Sequence, residues 1–244
     1  MNLYGLIGYP LKHSWSSKLF NERFRREDLD CHYKNFELER LDQLDALMEE
    51  EPDLCGFNVT MPYKEAIIPL LDEIDPVAKE IGAVNTVKVD HWRLKGYNTD
   101  VDGFEVLLQR GLKIRSFDHA IVLGTGGASK AVQYVLRQHQ IPYSVVSRTQ
   151  GKGDLTYEEI TDEMLKENHL IINATPVGMG ALKEEWPDIR YHVLTNKHVL
   201  LDLIYNPKET SFMSLGANWG AKTFNGLQML YAQADKSWEI WNNA

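Results

Sequence analysis

The chain has 244 residues, 43% of them hydrophobic and 25% charged, with a net charge of −9. That composition supplies a large core and excludes a disordered chain, and the negative balance argues against nucleic acid or an anionic membrane as partner. Two cysteines, Cys31 and Cys55, fit neither a disulfide framework nor a metal motif and are expected to be buried thiols in a reducing compartment.

The opening stretch MNLYGLIGYPLKHSW lacks a basic start followed by a long apolar run, so a signal peptide is not expected. No apolar run approaches the roughly 20 residues that span a bilayer. A soluble, cytoplasmic protein is the expectation. The eight histidines show no ligand spacing, and no metal site is expected.

Strands and helices alternate from the start. LYGLIGY reads as a strand, SSKLFNERFRR as a helix and HYKNFEL as a second strand. ERLDQLDALMEE carries Leu41, Leu44, Leu47 and Met48 at helical spacing, and LCGFNVT follows as a third strand. In DPVAKEIG, Asp75 is an N-cap, Pro76 opens the helix and Gly82 ends it. AVNTVKV and WRLKGYN form a hairpin around Asp90 and His91, and VDGFEVLLQRG is a connecting helix. A second series then runs through the strand HAIVLG, the helix ASKAVQYVLRQH and the strands YSVVSR, HLIINA and HVLLDLIY. A last helix from about Gly226 to Trp241 completes the chain; Trp238 and Trp241 are expected to pack it into a core. Such alternation predicts an α/β protein of two domains with mainly parallel sheets and helices on their faces.

Two stretches carry chemistry. IVLGTGGASKAV sets Gly124, Gly126 and Gly127 between a strand and a helix, the setting in which bare backbone and a helix N-terminus receive a dinucleotide pyrophosphate. The next strand ends in VVSRTQGKG, with Arg148, Thr149 and Lys152 and no acid before Asp154. A cationic fork beside a hydroxyl suits a 2′-phosphate, so NADP is favoured over NAD. The second stretch is GFNVTMPYK, a core-like strand that ends in Asn58, Thr60 and Lys64. Polar groups at the carboxyl end of a strand line the usual ligand position of α/β sheets. Ser14 and Ser16 at a helix start could seat a carboxylate, or simply cap the helix. With Asn85, Thr86, Asn98 and Asp100, these groups suit a small polyhydroxylated acid. Reducing its ketone with hydride calls for a proton that a lysine, alone or with a carboxylate, can supply.

In order along nearly the whole chain, GYPLKHSWS, NVTMPYK, GAVNT, NTDVDG, GTGGAS, SRT, NATPVGM, DLIYNP and NGLQMLYAQA resemble the marks of the shikimate dehydrogenase family. The resemblance implies a substrate-binding catalytic domain over residues 1–101, completed by a C-terminal helix at 225–244, and a Rossmann-like NADP domain over 102–224, with a cleft between them. It implies reversible NADP-dependent reduction of 3-dehydroshikimate to shikimate, on the route to chorismate and the aromatic amino acids, in a monomer or homodimer. By matching position, Ser14 and Ser16 would hold the substrate carboxylate, and Thr60, Asn85, Tyr205 and Gln233 would orient the substrate. Lys64 and Asp100 would be the catalytic pair. Gly124, Gly126, Gly127 and Ala128 would approach the pyrophosphate, with Arg148, Thr149 and Lys152 near the adenosine phosphate. Asn173, Thr175 and Gly226 would lie along the nicotinamide. The chain departs from the family in its short length, in SRT where Asn-Arg-Thr is usual, and in an abbreviated QGKGDLTYEEI where a helix is expected. A quinate/shikimate dehydrogenase of broader specificity is the nearest alternative.

Overall fold

The computed structural model describes residues 1–11 and 14–243. The chain forms two compact units, Met1–Thr99 with Ala234–Ala244, and Asp100–Gln233.

Unit 1 contains β1 (Asn2–Gly8), α1 (Ser16–Arg26), β2 (Cys31–Glu37), α2 (Leu44–Glu50), β3 (Leu54–Val59), β4 (Glu73–Ile74), α3 (Pro76–Ile81), β5 (Thr86–Asp90) and β6 (Arg93–Tyr97). The sheet order is β2-β1-β3-β5-β6-β4. β1 runs parallel to both β2 and β3, whereas β5 is antiparallel to β3 and to β6. Period-2 alternation splits β1 between two cores. Leu3 and Ile7 enter one with Phe57 and Val59, while Tyr4 and Leu6 enter another with Phe20, Phe24, Tyr33 and Trp241. The expected caps of α3 are present: the Asp75 carboxylate accepts from Val77 N at 2.9 Å, and Gly82 takes φ of 71°.

Two elements differ from the sequence expectation. Asp90 still pairs with Arg93 in the ladder, so the hairpin turn is His91–Trp92, one residue later than expected, with φ of 47° and 67°. Paired positive φ values match the right-handed twist of a two-residue hairpin, even without glycine. The segment 39–50 enters its helix through a 3₁₀ turn at Leu41–Gln43, where Gln43 Oε1 accepts from Arg40 N at 2.9 Å.

Unit 2 contains α4 (Asp100–Leu112), β7 (Ala120–Leu123), α5 (Gly127–Gln138), β8 (Tyr143–Ser147), β9 (Leu155–Thr156), α6 (Asp162–Glu167), β10 (Leu170–Asn173), β11 (Val199–Asp202), α7 (Ser211–Asn218) and β12 (Lys222–Phe224). All its strand pairs are parallel, in the order β12-β11-β10-β7-β8-β9. This is the doubly wound dinucleotide-binding order, with its switch point between β7 and β10. Both faces are covered: Val122, Ile172 and Leu201 pack into one core, and Ile121, Ile171 and Leu200 into the other. Continuous apolar runs are what a doubly covered parallel sheet requires.

The last helix, α8 (Leu227–Asn242), belongs to both units, with the boundary after Gln233. In unit 2, Met229 joins the α4 core, and Gly103 admits it: a Cβ there would lie 2.7 Å from Met229 O. In unit 1, Trp241 stacks on Tyr4 with centroids 4.8 Å apart and donates from Nε1 to Val87 O at 2.9 Å. Trp238 meets Tyr4 edge-on at 5.5 Å and lies under Arg23. Both tryptophans therefore pack the helix into a core, as the periodicity suggests.

One charged side chain lies inside the unit 2 sheet. Asp202, the last residue of β11, is wholly buried and accepts from Thr210 Oγ1 at 2.6 Å, Ile204 N at 3.0 Å and Asn173 Nδ2 at 3.1 Å. Burial pushes its carboxyl up to about 7, against the pull of these three donors. A carboxyl whose folded value exceeds its unfolded one keeps a proton longer in the native state. Its contribution is therefore full below about pH 4 and is lost as pH rises toward 7. From pH 5 to pH 8 this group should cost about 2–3 kcal/mol of stability. We expect the change in urea-derived unfolding free energy from pH 5 to pH 8 to be larger in wild type than in Asp202→Asn by about that amount. Identical pH dependence in the two proteins would show that Asp202 does not titrate in this window.

Candidate active site

In unit 1 the candidate residues gather at the carboxyl ends of β1 and β3, which are parallel neighbours. β3 stops at Val59, and Thr60 begins the turn with its N–H donating to Ile7 O at 2.9 Å. Gly8, the last residue of β1, allows this junction, because a Cβ there would fall on the Thr60 methyl and 2.9 Å from Leu11 Cδ2. Leu11 O in turn accepts from Ser14 N at 3.0 Å. Lys12 and His13 of the GYPLKHSWS stretch lie outside the described residues. Ser14 is half-buried and Ser16 buried; Ser14 Oγ accepts from Ser16 N at 3.3 Å. The N-cap residue Trp15 makes no side-chain cap bond and the first turn of α1 carries no acid, so Ser14 Oγ is the side-chain oxygen seen at the start of the helix among the described residues.

Lys64 is half-buried, and its carbonyl accepts from Val84 N at 2.7 Å, next to Asn85. The Asn85 carbonyl accepts from Val59 N at 2.8 Å. Thr60, Lys64 and Asn85 are thus brought to one end of one sheet by main-chain bonds. Asn58 corrects the sequence expectation. It is buried and its amide is spent within the unit, accepting from Tyr33 Oη at 2.8 Å and donating to Thr86 Oγ1 and Ser237 Oγ, both at 3.0 Å. Both Nδ2 hydrogens of Asn58 and its Oδ1 are thus committed to protein groups.

Unit 2 carries the remaining candidates. Asp100 is buried at the first position of α4, where the helix dipole favours a carboxylate. Tyr205 lies half-buried just after β11, and Gln233 is half-buried on α8 with its Nε2 donating to Leu230 O at 3.0 Å.

The glycine loop occupies the switch point. Gly124 follows β7 with φ of 107°, a value that favours glycine. A Cβ there would lie 2.9 Å from Thr175 Cγ2 and 3.0 Å from Ala174 O, so the loops after β7 and β10 touch. Ser129 Oγ donates to Gly124 O at 2.6 Å and fixes the turn. Gly126 is different: a Cβ there would meet nothing, so protein packing does not demand glycine. Gly126 is also the N-cap of α5 and no side chain caps that end, while Ala128 is a small neighbour in the first turn. Open space and uncapped amide donors fit a pyrophosphate.

Arg148, Thr149 and Lys152 are exposed on the loop 148–154, which joins β8 to β9 without a helix. A parallel crossover normally needs a dozen or more residues. Here the loop closes because Asp154 clasps Val145: its N–H donates to Val145 O, and its Oδ2 accepts from Val145 N, both at 2.8 Å. The carboxylate that follows the arginine is thereby bonded to the strand. The cations fit a 2′-phosphate, and the abbreviation read from the sequence is this missing crossover helix.

Asn173 is fully buried, with Nδ2 donating to Asp202 and to Val177 O while Oδ1 accepts from Thr175 N and Oγ1. Its amide thus shapes the Thr175 loop. Gly226 is enforced by packing, since a Cβ would overlap the Leu203 carbonyl. Sequence reasoning missed Tyr33, Thr99, Asp202 and Ser237. For Asp202 the signal was an acid at the end of an otherwise apolar strand.

Among the described residues, no cluster of three or more His, Cys, Asp or Glu could hold a metal, and no helix is long and apolar enough to cross a membrane. A model of the shikimate dehydrogenase substrate binding domain matches residues 6–87. The NADP(+)-dependent shikimate dehydrogenase of Clostridium beijerinckii is 38% identical over 253 residues, covering 99% of this chain and 92% of that protein. The crystal structure of shikimate dehydrogenase from Aquifex aeolicus superposes with a TM-score of 0.87 at 36% identity, covering 100% of this chain and 93% of that one. The Thermus thermophilus enzyme, solved in complex with NADP(H) and shikimate, gives 0.86 at 31% identity, covering 99% and 94%. With its parallel strand ends, its glycine loop at the switch point and this likeness over the whole chain, the protein belongs to the shikimate dehydrogenase family.

Proposed function

We propose that the protein catalyses the reversible NADP-dependent reduction of 3-dehydroshikimate to shikimate, a step toward chorismate and the aromatic amino acids. The observation that carries this is the full-length likeness to NADP-dependent shikimate dehydrogenases, one of them solved with NADP(H) and shikimate. Residues 1–101 with 225–244 act as the substrate domain and residues 102–224 as the NADP domain. The enzyme works in the cytoplasm as a monomer or homodimer on a small-molecule substrate, without nucleic acid or membrane.

In this reading Ser14 and Ser16, at the start of α1, hold the substrate carboxylate. Thr60, Asn85, Tyr205 and Gln233 hold the ring hydroxyls and so fix which carbon is presented. NADPH, when bound, would supply the hydride that the ketone carbon takes up. The oxygen gains negative charge as that bond forms, and Lys64, paired with Asp100, gives it a proton; in the reverse direction the pair takes the proton back. Gly124, Gly126, Gly127 and Ala128 receive the pyrophosphate. Arg148, Thr149 and Lys152 hold the 2′-phosphate, and the Asn173, Thr175 and Gly226 region borders the nicotinamide.

Incubation with shikimate and NADP⁺ should produce reduced nicotinamide, whereas NAD⁺ or quinate should give far slower turnover. Binding of shikimate without any turnover would contradict the proposal. Lys64→Ala should cut turnover by about 10²-fold or more, with NADP⁺ binding by calorimetry unchanged; near-wild-type turnover would remove Lys64 from the chemistry. Arg148→Ala should raise KM for NADP⁺ and leave KM for NAD⁺ alone, with the gap shrinking further at high salt. An unchanged cofactor preference would take the arginine out of the site.

A further inference from the structure

We propose that Ser237, on the last helix, is a positioning residue for the substrate side of unit 1, acting through a buried hydroxyl cluster that fixes Asn85 and the peptide leading into Asp100. This deepens the site assignment made above and rests on it.

Ser237 is wholly buried. A serine inside a helix is a poorer helix former than alanine, and a buried hydroxyl is costly unless it is bonded. The position is therefore explained by what the oxygen touches. Ser237 Oγ lies 2.8 Å from Thr86 Oγ1, 3.0 Å from Asn58 Nδ2 and 3.2 Å from Thr99 Oγ1. Thr86 and Thr99 hydroxyls are 3.1 Å apart, so the three oxygens form a triangle closed by hydrogen bonds.

Thr99 carries the effect to Asn85. Its N–H donates to Asn85 Oδ1 at 2.7 Å, and its hydroxyl accepts from Asn85 Nδ2 at 3.0 Å. Both ends of the Asn85 amide are thereby oriented by one residue, and that residue's hydroxyl is oriented by Ser237 and Thr86. Buried hydroxyls that polarise one another hold direction better than an isolated pair does. Thr99 is the last residue of unit 1 before the chain leaves at Asp100, and Ser237 lies in the first turn of unit 1 after the chain returns at Ala234. A single cluster thus anchors both passages of the chain. Deleting the Ser237 hydroxyl removes one of the two hydroxyl neighbours that orient Thr99 Oγ1, leaving Thr86 alone to direct the group that holds the Asn85 amide.

The test is steady-state kinetics on Ser237→Ala, Thr99→Val, Thr99→Ser, Asn85→Ala and Trp241→Phe. The last variant removes the indole bond to Val87 O and loosens the same helix without touching the cluster. Ser237→Ala and Thr99→Val should raise KM for shikimate about 3- to 10-fold, the span of one net hydrogen bond, with KM for NADP⁺ within about twofold of wild type. Thr99→Ser, which keeps the hydroxyl, should restore wild-type KM. An unchanged shikimate KM in Ser237→Ala and Thr99→Val would overturn the inference, as would an equal rise in Trp241→Phe. If Asn85→Ala itself leaves shikimate KM unchanged, the underlying site assignment fails instead.

Discussion

The amide of Asn58 is the constraint on which the substrate half of this enzyme depends. It sits in the middle of the unit 1 sheet, enclosed by protein, and a buried amide left unpaired costs about 1–3 kcal/mol. Its partners come from β2 through Tyr33, from β5 through Thr86 and from α8 through Ser237. Apolar alternation already opposes a one-residue slip, because it would send every side chain of β1 to the wrong core. Hydrogen bonds to one fixed amide add to that constraint, since a shift of one residue in any of these elements would break them. The register of the strands and the docking of the last helix are therefore held by polar contacts together with the apolar frame.

Unit 2 solves the same problem with a charge. The ends of β10 and β11 must hold two loops in place beside the glycine turn, and Asp202 does so through Asn173, Ile204 and Thr210. Three donors converge on one carboxyl where an amide would offer a single acceptor oxygen. The cost appears in its protonation, since burial outweighs those donors and lifts the group to about 7. Rigidity of the loops at the switch point is thus bound up with a group that titrates near neutrality.

Much of this was legible in the sequence, for reasons that differ by element. The parallel strands show as apolar runs because both their faces are covered, and α3 shows through Asp75, Pro76 and Gly82 because caps are local chemistry. The glycine loop is readable from spacing, although the reasons for its glycines separate only in three dimensions: Gly124 is needed by its backbone angle, and Gly126 by nothing in the protein. Asn58 misled because alternation along a strand tells which face a side chain takes, not whether that face is covered. Here α8, 179 residues later, covers it with Ser237. The hydroxyl cluster was invisible for the same reason: Thr86 reads as a ligand group, and Thr99 and Ser237 as ordinary residues, until the fold brings them together. α6 and α7 went unmarked because they are short, although Thr161 and Thr210 cap them with side-chain oxygens that accept from Met164 N and Met213 N.

The loop after β8 shows how much local closure can replace. A helix between β8 and β9 would supply the span of a crossover and its own dipole, and this chain has neither. Asp154 substitutes by pairing with both main-chain groups of Val145, and Gly153 lets the chain pass where a Cβ would come 2.6 Å from Val145 O. Removing the helix leaves the basic side chains exposed, so their attraction for a phosphate acts through water and falls with salt. Cofactor discrimination in such a loop comes from charge count more than from a closed pocket. The absence of an unbonded acid then matters as much as the presence of arginine, because a carboxylate held by Val145 N is poorly disposed to accept from a ribose hydroxyl. On the proposed assignment of this loop to the adenosine phosphate, the bond that closes it also removes the acid that would favour the unphosphorylated cofactor.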